Sequence, residues 1–202
     1  MFEFLAVFTE WVLTLYEWII IIAIIISWVQ PDPTNPIVQF LTRMTHPLWA
    51  YLASRLPVAL SAFSAYASLL LIWFLKVFLP GSILSFGDFI GGSLEIGSLL
   101  VRITGFFLLG TAFVLQNFFF FLIFLLLIWF FMTLISPSVN NPIVRTLVIL
   151  VDPLISPIQR RLPRSRIDLS PLVAAGIFFL INQFIVATLG AYASQLAHGG
   201  TL

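Results

Sequence analysis

Asn35-Pro36-Ile37-Val38, His46-Pro47-Leu48 and Arg55-Leu56-Pro57 mark one stretch of the chain; Asn141-Pro142-Ile143-Val144, Asp152-Pro153-Leu154 and Arg161-Leu162-Pro163 mark a second. The three pieces keep the same spacing, at a constant offset of 106 residues and without a gap. Leu41 and Leu147 match at this offset, as do Ser64 and Ser170. A lone Asn-Pro carries little information. Three pieces in register define an internal tandem repeat, which sets the frame for every other reading.

Composition fixes the solvent. The chain is 61% hydrophobic with a mean hydropathy of +1.13. Charged residues make up 8%, against roughly 25% in an ordinary soluble domain. So few charges could not cover a water-facing surface, and the chain reads as an integral membrane protein. A net charge of +1 leaves no electrostatic footprint for nucleic acid. The absence of cysteine excludes disulfides, thiolate metal sites, cysteine-attached haem and cysteine nucleophiles. Met1-Phe2-Glu3-Phe4 lacks the basic start of a signal peptide, so the first apolar segment is expected to stay as an anchor.

Working outward from the motifs, four spans are predicted. The first covers about 11–29, with Trp11 and Trp28 as interfacial anchors and Pro31-Asp32-Pro33 as its stop. The second covers 63–79, with Lys76 snorkelling and Pro80 closing it. The fourth covers 172–189. Residues 102–135 would reach roughly 50 Å as one helix, too long for an upright span. A span at 115–135 is therefore expected, preceded by an interfacial or partly inserted helix, and residues 81–97 read as an exposed Gly/Ser loop. A fifth span over 94–114 is the alternative.

Each motif reads as an amphipathic helix lying in the membrane interface. In the first, Ile37, Phe40, Leu41, Met44, Leu48, Tyr51 and Leu52 recur every three or four residues. Asn35 suits the cap, Pro36 the first helical position, and Pro47 a kink. The second carries Ile143, Leu147, Leu150, Val151, Leu154 and Ile158, and is expected to be more broken by Pro153 and Pro157. The fold class is thus an all-α membrane protein: a first repeat over 1–80, a linking segment over 81–114 and a second repeat over 115–202. Arg43, Arg55, Arg145, Arg160, Arg161, Arg164 and Arg166 sit with the motifs, whereas only Lys76 and Arg102 lie elsewhere. The positive-inside bias then puts the motif loops on the cytoplasmic face of a bacterial inner membrane and both termini outside.

At these residues the chain resembles the YggT family, called YlmG in Gram-positive bacteria, with relatives in plastids. The first copy matches through Ile26-Ser27-Trp28, Asn35-Pro36, Pro47-Leu48 and Arg55-Leu56-Pro57. The second, fuller copy matches through Ile135-Ser136, Asn141-Pro142, Asp152-Pro153-Leu154, Pro157-Ile158, Arg160-Arg161-Leu162-Pro163 and Ile167-Asp168-Leu169-Ser170-Pro171. The first copy departs from the pattern with His46 for Asp152, with Ser54-Arg55 for the Arg-Arg pair, and with Ala23 where many relatives carry arginine. The resemblance implies a small membrane protein connected with osmotic-stress tolerance, potassium uptake, division or cytochrome maturation.

Candidate site residues follow from motif and depth. The repeat-motif set is Asn35, Pro36, Pro47, Arg55, Pro57, Asn141, Pro142, Asp152, Pro153, Arg160, Arg161, Pro163, Ser170 and Pro171. Glu3, Glu10 and Glu17 recur every seven residues on one helix stripe. Glu17 falls about 9 Å inside the first span, as a proton or cation relay, a buried ion pair, or the end of a solvated stripe. Gln116, Asn117, Asn182 and Gln183 are amides within spans, suited to gluing helices or lining a pathway. The Arg160–Arg166 run suits anionic headgroups or simple topology. His46 and His198 lack metal-ligand spacing, and no phosphate loop, triad or paired-carboxylate motif stands out. The expectation is a non-enzymatic, cofactor-free scaffold, assembly or stress-tolerance factor. It would act through membrane lipid and partner membrane proteins or self-association, with an ion-uptake or channel component as the alternative.

Overall fold

The computed structural model describes residues 1–29, 31–135, 141–161 and 168–199. In chain order they form α1 (Phe2–Val29), α2 (Pro36–Arg55), a 3-10 turn (Val58–Phe63), α3 (Ser64–Ile90), α4 (Ile96–Ile135), α5 (Pro142–Gln159), α6 (Ser170–Ile181), a π-helical turn (Asn182–Val186) and α7 (Ala187–Ala197). Among the described residues, four stretches are long and apolar enough to cross a membrane: Phe2–Val29, Val58–Ile90, Ile96–Ile135 and Ser170–Ala197. Lipid offers backbone groups no partner, so these apolar segments satisfy their amides as helices.

Helix limits differ from the sequence reading at three places, for one physical reason. α1 begins at Phe2, ahead of the start near residue 11 expected for the first span. α3 continues through Pro80 to Ile90, where a loop is expected. Pro80 removes the N–H that would serve the Lys76 carbonyl, a local loss that a membrane helix tolerates when neighbours surround it. Gly81, immediately after it, is buried, and a Cβ there would overlap the Phe106 ring of α4. α4 is one helix of 40 residues rather than two segments. No proline interrupts it, and a break at 114–115 would strand carbonyls and amides among apolar side chains. Only residues 91–95 separate α3 from α4. Pro47, Pro153 and Pro157 likewise lie inside continuous helices.

The chain packs as two compact units. One holds Met1–Ser27, Pro31–Val114 and the segment from Thr188 on; the other holds Leu115–Ala187 and the few residues from Trp28. In the first, long polar side chains join the helices. The Tyr16 hydroxyl donates to the Met44 carbonyl at 3.0 Å, and Trp49 Nε1 donates to Ser68 Oγ at 3.0 Å. Phe74, Phe78 and Phe107 form an aromatic cluster between α3 and α4, with centroids 5.2 to 6.1 Å apart. The second unit has an apolar core: Leu125 and Leu126 from α4, Leu147, Val151 and Ile155 from α5, Ala174 and Ala175 from α6.

Gly105 marks a close approach of helix to backbone in the first unit. It is buried, and a Cβ there would overlap the backbone of Ala197 at the end of α7, which has no freedom to swing aside. Gly105→Ala is expected to lower stability by about 1–3 kcal/mol, the usual range for overpacking. Unfolding in mixed micelles checks this, with Gly97→Ala, at a position open on the Cβ side, as the control.

Candidate functional site: the motif helices and an intramembrane ion pair

The two motifs begin with the same device. Asn35 Oδ1 accepts the Ile37 N–H at 2.9 Å, and Asn141 Oδ1 accepts the Ile143 N–H at 2.9 Å. Both asparagines hold extended backbone, and Pro36 and Pro142 open the helices that follow. Each Asn-Pro is therefore an N-cap with a preset first helical residue. Pro57 does similar work, its carbonyl accepting the Leu60 N–H at 2.8 Å to open the 3-10 turn. The Arg55 guanidinium lies 5.5 Å over the Tyr51 ring. Pro47, Asp152 and Pro153 are exposed within their helices, and Arg160 and Arg161 are exposed at the end of α5. Pro163, Arg164 and Arg166 lie outside the described residues.

Ser170 and Pro171 are buried at the start of α6. Asp168, absent from the candidate set although part of the family motif, organises this end. Its Oδ1 accepts the Ser170 N–H at 2.9 Å, and Gln159 Nε2 donates to Oδ2 at 2.6 Å, tying the end of α5 to the start of α6. An acidic residue two places before the first residue of a span is the sequence signal that identifies such a cap.

The motif helices differ in what they leave open. In α2 Leu41 and Thr45 are buried, the latter bonding the Leu41 carbonyl at 2.9 Å, while Ile37, Phe40, Met44 and Tyr51 form an exposed apolar stripe. In α5 Val144, Leu147, Val151 and Ile155 are buried, and Ile143, Leu150 and Ile158 pack against the same core. At the repeat offset, Ile37 and Met44 correspond to Ile143 and Leu150. The second copy covers two positions that the first exposes.

Glu17 is neither solvated nor free. Its Oε2 meets Lys76 Nζ at 2.6 Å, and its Oε1 accepts Trp73 Nε1 at 2.8 Å, so α1 and α3 are joined through both carboxylate oxygens. The Glu17 and Lys76 side chains are 15% and 18% exposed. The sequence reading has Lys76 snorkelling outward and does not place Trp73 near the carboxylate; partners so far apart in sequence leave no local signal. The four amides separate. Gln116 and Gln183 are exposed and Asn117 is half-buried. Asn182 is 7% exposed, opens the π-helical turn, and leaves Oδ1 without a hydrogen-bond partner among the described residues. No group of three or more His, Asp or Glu side chains able to hold a metal occurs among the described residues.

These geometries have measurable consequences. Removing one member of the ion pair, as in Glu17→Gln or Lys76→Met, leaves the other charge unpaired and is expected to cost about 3–5 kcal/mol. The double variant should lose less than the two single losses combined, and additive losses in micelle unfolding would contradict the pairing. The Asp168 carboxyl is pushed up by burial, but the hydrogen bonds from Ser170 and Gln159 outweigh this and hold it below the usual carboxylate range. Its contribution is therefore complete above the ordinary Asp pKa and fades as pH falls through the lowered one. Acid should loosen the α5–α6 junction, read as faster amide exchange at Ser170, and Asp168→Asn should abolish this pH dependence.

The profile of the CCB3/YggT family matches residues 2–86 and 108–189. Proteins named YggT from Escherichia coli K12, O6:H1 and O157:H7 are each 27% identical to the chain over 192 residues, covering 93% of it and 92% of their own length. No solved structure matches. The two matched segments each contain a span, a capped motif helix and the start of the following span, and on that agreement the chain belongs to the CCB3/YggT family of membrane proteins.

Proposed function

We propose that this protein is a non-enzymatic membrane scaffold that supports assembly or osmotic-stress tolerance by docking partner membrane proteins on its first motif helix. One observation carries the reading: α2 exposes Ile37, Phe40, Met44 and Tyr51 at helical spacing, whereas α5 packs the counterparts Ile143 and Leu150 against its core. An apolar stripe beside Gln39, Arg43 and His46 suits a helix at the membrane boundary, where a partner's helix meets it with little water to displace. The caps support this role, because Asn35 and Asn141 have their side-chain oxygens engaged in shaping helices. The arginine distribution supports a cytoplasmic face for both motifs in a bacterial inner membrane.

A second reading, ion uptake, draws on Asn182, whose buried oxygen has no hydrogen-bond partner among the described residues and lies within a span. Glu17 gives it less support, since both oxygens already have donors. A photoreactive amino acid at Phe40 separates the two. Docking predicts a discrete protein adduct in intact membranes that is absent from the same substitution at Ile149 on α5. Lipid-only adducts, together with cation flux in liposomes that Asn182→Leu abolishes, would replace scaffolding with transport.

A further inference from the structure

Two carboxamides of the second unit sit where lipid gives them nothing to bond. Gln116 lies midway along α4, Ile96–Ile135, and Gln183 midway along the last span, Ser170–Ala197. Both are exposed, and neither side chain hydrogen-bonds another described residue. About 20 Å of helix separates Gln183 from either end of its span, and about 30 Å separates Gln116 from either end of α4. The hydrocarbon boundary is about 15 Å from the midplane, too far for a glutamine to snorkel. Water and the polar groups of lipid stop at that boundary, so only protein can serve these two side chains.

The fold brings the pair to one surface. The Phe119 and Phe178 rings are 5.7 Å apart, and Leu125 and Leu126 share a core with Ala174 and Ala175. As α4 advances the last span recedes, so the two helices run antiparallel. From the Phe119–Phe178 contact, Gln116 is three residues back and Gln183 five residues on, which sets them within about 3 Å of one depth. At about 100° per residue, Gln116 lies about 60° round α4 and Gln183 about 130° round its span, the π-helical turn included. Rotations of one sense on antiparallel helices fall on the same side of the pair. Phe120 and Phe124 continue the exposed stripe on α4, as Phe179 and Gly176 do on the last span. At Gly176 nothing stands within 4 Å of the place a Cβ would take, which leaves room for a neighbouring ridge. The last span has no charged residue and α4 only Arg102, so the face invites no charged partner.

A carboxamide donates and accepts at once, so another carboxamide complements it fully. A second copy inserted in the same orientation, related by a two-fold axis along the membrane normal, brings its own Gln116 and Gln183 to the same depth. A foreign partner would have to carry a polar group at that one level. We propose that the protein self-associates as a two-fold dimer through this face, with the glutamines bonded across the interface and the phenylalanines packed around them. The face lies on the spans of the second unit and is independent of protein docking on α2.

The natural absence of cysteine allows a test on the full chain, purified into vesicles of phosphatidylcholine and phosphatidylglycerol. Under a short bismaleimide Phe120→Cys should yield a crosslinked dimer, and Ile177→Cys, exposed on the other side of the last span, should yield little. Energy transfer between copies labelled at an added terminal cysteine should fall on dilution with lipid. Gln116→Leu/Gln183→Leu, at exposed positions where leucine suits lipid, should move the midpoint to about tenfold more protein per lipid, as for the loss of interhelical hydrogen bonds. Gln116→Asn/Gln183→Asn, which keeps both carboxamides, should stay closer to the natural midpoint. No energy transfer at any protein-to-lipid ratio, a midpoint unmoved by the leucine variant, or equal crosslinking from Phe120→Cys and Ile177→Cys would each overturn the dimer.

Discussion

Backbone hydrogen bonding in a solvent without hydrogen bonds is the constraint behind this structure. A peptide group left open in hydrocarbon costs several kcal/mol, more than almost any side-chain preference can offset. Helices therefore run as far as the apolar composition does, through Pro80 in α3 and along all 40 residues of α4. Where they must start, the chain supplies an acceptor: Asn35, Asn141 and Asp168 each take an N–H of the helix that follows. The repeated motif is in this sense the punctuation of a membrane protein.

Given the same punctuation, the two copies are held together by different chemistry. Trp49, Ser68, Trp73 and Lys76 of the first copy correspond at the repeat offset to Ile155, Ala174, Phe179 and Asn182 of the second. Ser68 and Ala174 are both buried, as are Leu41 and Leu147. Yet the first copy joins its helices by hydrogen bonds and an ion pair along their length, whereas the second packs an apolar core and keeps its α5–α6 hydrogen bond, Gln159 to Asp168, at the helix ends. Polar contacts between membrane helices are individually modest, about 0.6 kcal/mol on average, but they accept only one register. Apolar packing is more forgiving of small shifts. The first copy is also the one whose motif helix keeps an exposed apolar stripe.

Much of this was legible beforehand. Period, composition and the Asn-Pro and Leu-Pro spacings identify the repeat, four apolar helices and the capping role of Asn35 and Asn141. Helix ends were less legible, because the rules that stop a helix at Pro80 or in the Gly/Ser segment after it come from water. Partners were least legible. Glu17 could be marked as unusual, but its pairing with Lys76 and Trp73 depends on how α1 and α3 rotate against each other. Which part of α2 faces the neighbouring helices was also not legible: Thr45 is buried, its hydroxyl returning a hydrogen bond to the Leu41 carbonyl, while Phe40 is exposed.

The π-helical turn that opens at Asn182 changes the phase of the last span. A wider turn takes up an extra residue, so every side chain beyond it points roughly 100° away from where an unbroken helix would aim it. Beyond the turn, the burial of Ala193 and Ala197 depends on that changed facing. One wide turn thus gives the two ends of a single span different facings.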